Sequence, residues 1–161
     1  MKQLASKVCI IGGGPGGIIT SLFLSKKQVP HILVDKSKFP RDKVCGECMD
    51  GRVFHTLKRL DPTIFPEMVD KGLIQETRKY LVNVSNVQFP VNFSKKSTPG
   101  MLAKRVDFDS FLFNKAAESS FCEVVEGEII TSSRHEGNEI IFEGKNLEIK
   151  SSIGVVASGY N

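Results

Sequence analysis

Gly12, Gly14 and Gly17 stand at GxGxxG spacing within Val8–Leu24, VCIIGGGPGGIITSLFL. At that spacing the first glycine permits a tight turn, the second lets backbone approach a pyrophosphate, and the third allows a helix to pack closely on a strand. Pro15 suits a first helical turn, where its missing N–H has no intrahelical partner, and Gly16 completes the cluster. The chemistry is anion binding, with phosphate oxygens resting on the amides of a helix start. Asp35 follows 18 residues after Gly17, at the end of the apolar run HILVD. A carboxylate there accepts hydrogen bonds from the hydroxyls of an adenosine ribose. Past it, Lys36, Arg41 and Lys43 supply positive potential beside a pyrophosphate. The pattern points to a dinucleotide and leaves open which one.

These residues need particular elements to hold them. Val8–Ile11 is an apolar run of the kind buried on both faces of a parallel sheet, and Ile18, Ile19, Leu22 and Phe23 then recur at helical spacing, so a strand, a tight turn and a helix are predicted. His31–Asp35 is a second strand. An amphipathic helix is expected over Gly46–Leu60, with Val53, Leu57 and Leu60 on one face, ended by Asp61-Pro62. A short helix is expected over Thr63–Val69, and a hairpin or strand pair on either side of Ser85-Asn86. Asp107–Ser119 reads as a helix with Asp107 as its N-cap. Cys122–Val125, Ile129–Arg134, Glu139–Phe142 and Leu147–Lys150 read as strands, the last three as an antiparallel meander, and Ile153–Val156 as a return to the main sheet.

Composition narrows the function classes. At 161 residues the chain can bury a sizeable core without disulfides or metals. Its 22 basic and 18 acidic residues leave a net charge of +4, too weak a bias for a nucleic-acid partner. Lys2 and Lys7 precede an apolar stretch, yet five glycines and a proline between Gly12 and Gly17 interrupt it, against a secretory signal. No run approaches the roughly 20 apolar residues of a transmembrane span, which leaves only peripheral contact with a membrane open. The four cysteines, Cys9, Cys45, Cys48 and Cys122, suit a reducing cytoplasm. Cys45 and Cys48 form one CxxC pair. No second pair completes a zinc site, His31, His55 and His135 show no ligand spacing to it, and no metal is expected. A redox dithiol is the alternative, against two thiols in the first turn of a helix.

Phe39-Pro40-Arg41-Asp42-Lys43-Val44-Cys45-Gly46-Glu47, then Arg105, Phe108, Asp109 and Leu112, then the closing IGVVASGYN occur in this order. With these segments the chain resembles the FAD-dependent oxidoreductases related to geranylgeranyl reductases, and more distantly the aromatic-ring monooxygenases and FAD-dependent halogenases. The resemblance implies that Cys45, Gly46 and Cys48 run along the FAD and that Arg105 contacts it from the opposite side. It also implies that Ile129 borders the adenine, and that Ser158 and Gly159 belong to the closing element. Two positions depart from the family pattern: Ser158 stands where many relatives carry aspartate, and Asp35 where glutamate is commoner, which keeps an NAD-binding reading alive.

The expected architecture is an α/β, Rossmann-type FAD-binding domain with a parallel sheet, an antiparallel β-meander and the start of an inserted substrate-side β region. The FAD-binding part spans 1–75 and 104–161, and the inserted part 76–103. The resemblance makes this the N-terminal portion of a longer enzyme, a cytoplasmic flavoprotein. That enzyme reduces double bonds of a hydrophobic, isoprenoid small molecule, with NAD(P)H as electron source. Aromatic hydroxylation or halogenation is the alternative enzyme reading, and a nucleotide-binding module without turnover the alternative of another class. No residue is assigned as a general acid or base, and the oligomeric state is left open.

Overall fold

The computed structural model describes residues 2–43, 48–49, 51–92 and 100–159. Its contacts divide the chain into two units, Met1–Asp42 with Asp109–Asn161, and Lys43–Phe108.

In the first unit, strand β1 (Lys2–Ile11) leads through the glycine turn into helix α1 (Pro15–Lys26) and on to β2 (His31–Asp35). The chain returns to this unit in helix α4 (Arg105–Ala117), followed by β8 (Cys122–Glu126), β9 (Ile130–Glu136), β10 (Glu139–Gly144) and β11 (Leu147–Val156). The six strands form one sheet in the order β8-β2-β1-β11-β10-β9. β1 runs parallel to β2 and β11, and β2 to β8, while β10 pairs antiparallel with β11 and β9. Ile11 is level with Val34 on one side and Val156 on the other. The carboxyl ends of these three strands therefore finish together, which is where open α/β sheets bind ligands.

Alternation along the strands explains the two-sided burial. Cys9, Ile32 and Val34 join Phe142, Leu147 and Ile149 in one buried cluster. Val8, Ile10 and Leu33 point the other way and are equally buried, on the face where α1 contacts β1 and β2. That face also carries a polar chain. His31 Nδ1 lies 2.8 Å from the Val29 carbonyl, which can only accept, so the proton sits on Nδ1. His31 Nε2 then accepts from the Ser21 hydroxyl at 2.7 Å, and Ser21 Oγ lies 3.3 Å from Cys122 Sγ. Burial lowers the His31 pKa against a smaller opposing effect of the Val29 bond, raises that of Cys122, and pushes the Cys9 thiol up to about 12.

The second unit holds β3 (Cys48–Met49), α2 (Gly51–Leu60), α3 (Ile64–Asp70), β4 (Gln75–Thr77), β5 (Lys79–Val84), β6 (Val87–Asn92) and β7 (Gly100–Leu102). β5 and β6 form the hairpin expected around Ser85-Asn86, both of which take positive φ, as the tight primed turns require.

Four expectations are corrected. Cys48 is not in a helix: it pairs with Leu102 in an antiparallel ladder, and α2 begins only at Gly51. α4 starts two residues before Asp107, because the Lys104 carbonyl accepts from the amides of Asp107 and Phe108, so Asp107 lies within the first turn and is not the cap. β1 begins at Lys2 and not Val8, its polar first half being carried by pairing with β11. Leu147–Lys150 and Ile153–Val156 are one strand, since β11 pairs with β1 along its length and with β10 over its first half. Among the described residues no helix is long and apolar enough to cross a membrane.

Candidate functional site

The site grows from the end of β1. Gly12 takes φ +109°, a conformation other residues rarely adopt, and a Cβ on it would lie 2.5 Å from the Ala157 carbonyl oxygen. A Cβ on Gly17 would overlap the Gly12 carbonyl, so the helix sits as close to the turn as bare backbone allows. Gly14 is the N-cap of α1 with no side-chain capping bond, Pro15 is at the first helical position, and the first turn holds no acidic residue. Ile18 is the amide that first bonds back, to Gly14. The amides of Gly16 and Gly17 precede it, at the positive end of the helix dipole, where an anion is favoured. Space for a side chain at Gly16 is open.

Two oppositely charged side chains grip Gly13. Its N–H donates to Asp35 Oδ2 at 2.5 Å, and its carbonyl accepts from Arg41 Nη2 at 3.2 Å. Asp35 Oδ1 accepts from the Ser37 N–H at 2.7 Å, so both carboxylate oxygens serve backbone while each keeps further acceptor capacity. Arg41 Nε lies 3.9 Å from Asp35 Oδ1, outside hydrogen-bond range, and is a buried donor without a partner. An orphaned guanidinium N–H beside a helix start fits an anionic group such as a pyrophosphate.

A cleft of about 410 Å³ opens beside this turn, lined among others by Gly12, Asp35, Lys36, Glu128, Ile129 and Ser158. Ile129 is 55% exposed there, and Glu128 is placed by its N–H donating to the Asp35 carbonyl at 3.2 Å. The structure thus brings together residues from the ends of β1, β2 and β11 and the start of β9. Gly159, at φ +77°, follows Ser158 directly. Of the remaining expected residues, Lys43, Cys48 and Arg105 belong to the second unit. There Cys48 Sγ lies 3.0 Å from the Tyr80 hydroxyl, and this bond is the main cause holding the Tyr80 pKa up at about 12. Cys45 and Gly46 lie outside the described residues.

Sequence reasoning gave no role to Gly13, Glu128 or Asp109. Gly13 occupies a position that the motif leaves free. Asp109 could have been noticed as a carboxylate beside Phe108 and Leu112 on an otherwise apolar face: it is 1% exposed.

Residues 5–145 match the family model described as FAD binding domain. An uncharacterised protein of Methanosarcina barkeri is 28% identical over 144 residues, covering 89% of this chain and 33% of the relative. A flavoprotein/dehydrogenase from Cytophaga hutchinsonii superposes with a TM-score of 0.78 at 25% identity, over 97% of this chain and 40% of that one. A geranylgeranyl bacteriochlorophyll reductase-like protein from Thermoplasma acidophilum gives 0.78 at 18% identity, over 99% and 40%. The chain therefore spans about a third of the length of the Methanosarcina relative.

Proposed function

Because the chain belongs to the FAD binding domain family, we propose that it binds FAD for a flavin-dependent oxidoreductase. We further propose that this enzyme reduces double bonds of a hydrophobic, isoprenoid-like molecule with NAD(P)H as electron source. The observation that carries the FAD reading is the grip on Gly13 by Asp35 and Arg41, with the unpartnered Arg41 Nε, next to an α1 start that no side chain caps. FAD, when bound, supplies the hydride-transfer chemistry. The chain's part is to bind and orient it: the α1 amides and Arg41 hold the pyrophosphate, and Asp35 offers its remaining acceptor capacity to the ribose. Ile129 and Ser158 flank the cleft on the adenosine side. Lys36, in the same unit, adds positive charge beside the cleft. The double-bond reading is supported by the Phe39–Glu47 segment and by the fold shared with the reductase-like protein.

Titration of the folded chain with FAD, NADH and NADPH, followed by flavin and nicotinamide fluorescence, tests the first part. Saturable binding of FAD is expected. Binding of nicotinamide without FAD would overturn it in favour of a nucleotide-binding module. For the second part, FAD-loaded enzyme is given NADPH with an isoprenoid lipid or, in parallel, with an aromatic compound, oxygen and halide, and products are weighed by mass spectrometry. Gain of hydrogen is expected; gain of oxygen or halogen on an aromatic substrate instead would point to hydroxylation or halogenation.

A further inference from the structure

Arg41 is held from one helix by two different means. Its guanidinium carbon lies 5.1 Å from the centroid of the Phe39 ring, and that ring stacks on Phe113 of α4 at 3.8 Å and 10°. Asp109, one turn earlier on the same face of α4, brings Oδ2 to 3.8 Å from Arg41 Nη2. The same Nη2 donates to the Gly13 carbonyl. Asp109 is 1% exposed and Arg41 14%, and neither lines the cleft, which is reached through Asp35.

The Gly13 carbonyl and the Gly14 N–H belong to one planar trans peptide and point in opposite directions. A guanidinium fixed on the carbonyl therefore aims the Gly14 N–H away from itself. Arginine has several rotatable bonds; Asp35 stands 3.9 Å from its Nε, but without Asp109 behind Nη2 the outer end of the guanidinium would exchange this position for solvated ones.

We propose that Asp109 is a positioning residue for the dinucleotide: it keeps Arg41 on the Gly13 carbonyl, so that the glycine turn and the guanidinium are arranged before the cofactor arrives. This rests on the FAD reading above. It makes a prediction opposite in sign to simple electrostatics. Asp109 is a negative charge near an anion site, so by charge alone Asp109→Asn should tighten FAD binding. If Asp109 acts by positioning, the same substitution weakens it.

The experiment is a double-mutant cycle on the chain, with FAD dissociation constants from flavin fluorescence and folding checked by circular dichroism. Asp109→Asn is expected to weaken FAD binding about 10-fold, and to have no further effect in an Arg41→Ala background. Ethylguanidinium should restore affinity to Arg41→Ala and fail to do so in the double variant, a rescue that a merely structural role for Asp109 would not show. Tighter or unchanged binding in Asp109→Asn, additive effects, or equal rescue in both backgrounds would overturn the inference while the wild type still binds FAD. A folded wild type that binds no FAD would overturn the FAD reading and this inference with it. If Asp109→Asn does not fold, Arg41→Lys decides: it keeps the charge but lacks the planar group that lies against the Phe39 ring while its Nη2 meets both Gly13 and Asp109. About 10-fold weaker binding is expected, and wild-type affinity would overturn the inference.

Discussion

The Gly13 amide donates to Asp35 Oδ2 at 2.5 Å, tying the turn after β1 to the end of β2 across 22 positions of sequence. This bond is charge-assisted and buried, and Asp35 makes a second one to Ser37. Hydrogen bonds to charged groups contribute about 1.5–3 kcal/mol each. Asp35→Asn replaces one acceptor oxygen with a donor, which leaves one of the two backbone amides without a partner. We expect a stability loss of about 2 kcal/mol in urea denaturation and at least roughly 10-fold weaker FAD binding. A variant of unchanged stability would show that the Gly13 bond does not contribute.

Gly16 and Gly17 are adjacent and should respond in opposite ways. A methyl on Gly17 meets the Gly12 carbonyl, so Gly17→Ala must push the helix off the turn, at about 1–3 kcal/mol, the usual cost of overpacking. A methyl on Gly16 meets nothing within 4 Å. Gly16→Ala is expected to retain or slightly raise stability, by up to about 1 kcal/mol from helix propensity, read in urea denaturation. Equal losses in the two variants would contradict the close approach of α1 to the Gly12 peptide.

Stability should fall on both sides of a neutral plateau. Burial depresses the folded-state pKa of His31 below its ordinary 6.5, so the unfolded chain takes up a proton first and stability is lost as pH drops below that value. Burial raises Cys9 from its ordinary 9.0, and Cys122 in the same direction, so the unfolded chain ionises first and stability is lost above about pH 9. Each proton contributes at most about 1.4 kcal/mol per pH unit. Urea midpoints from pH 5 to 10 measure both limbs; His31→Gln should flatten the acid limb and leave the alkaline one.

The Cys48 thiol holds the Tyr80 phenol's pKa up. Removing the thiol in Cys48→Ala should return the Tyr80 phenol from about 12 toward its ordinary 10.0, read as phenolate absorbance in an alkaline titration. In the same protein Cys48→Ser should leave FAD affinity within about 2-fold of wild type. A large loss of affinity would place the Cys48 thiol at the flavin.

Much of this protein was legible along the chain because its signals act over a few residues. A glycine run after four apolar residues, a proline at a helix start and an apolar strand ending in Asp35 each state a local backbone requirement, and β1, α1 and β2 meet in register as those requirements imply. Ser85-Asn86 announced its hairpin for the same reason. Other features depended on partners distant in sequence. β11 runs unbroken through Lys150–Ile153 because β1 lies alongside to pair with it. Cys48 is in a strand because Leu102 takes up its ladder position. The arrangement at the site belongs to this second kind. Asp35 and Arg41 read in sequence as charges facing a cofactor, and Asp109 as one more position of an apolar helix; none of them reads as a partner of Gly13 or of the others. Their joint hold on Gly13 exists only where β1, β2 and α4 converge, since ion pairs and hydrogen bonds act over a few ångströms, whichever part of the chain supplies the atoms.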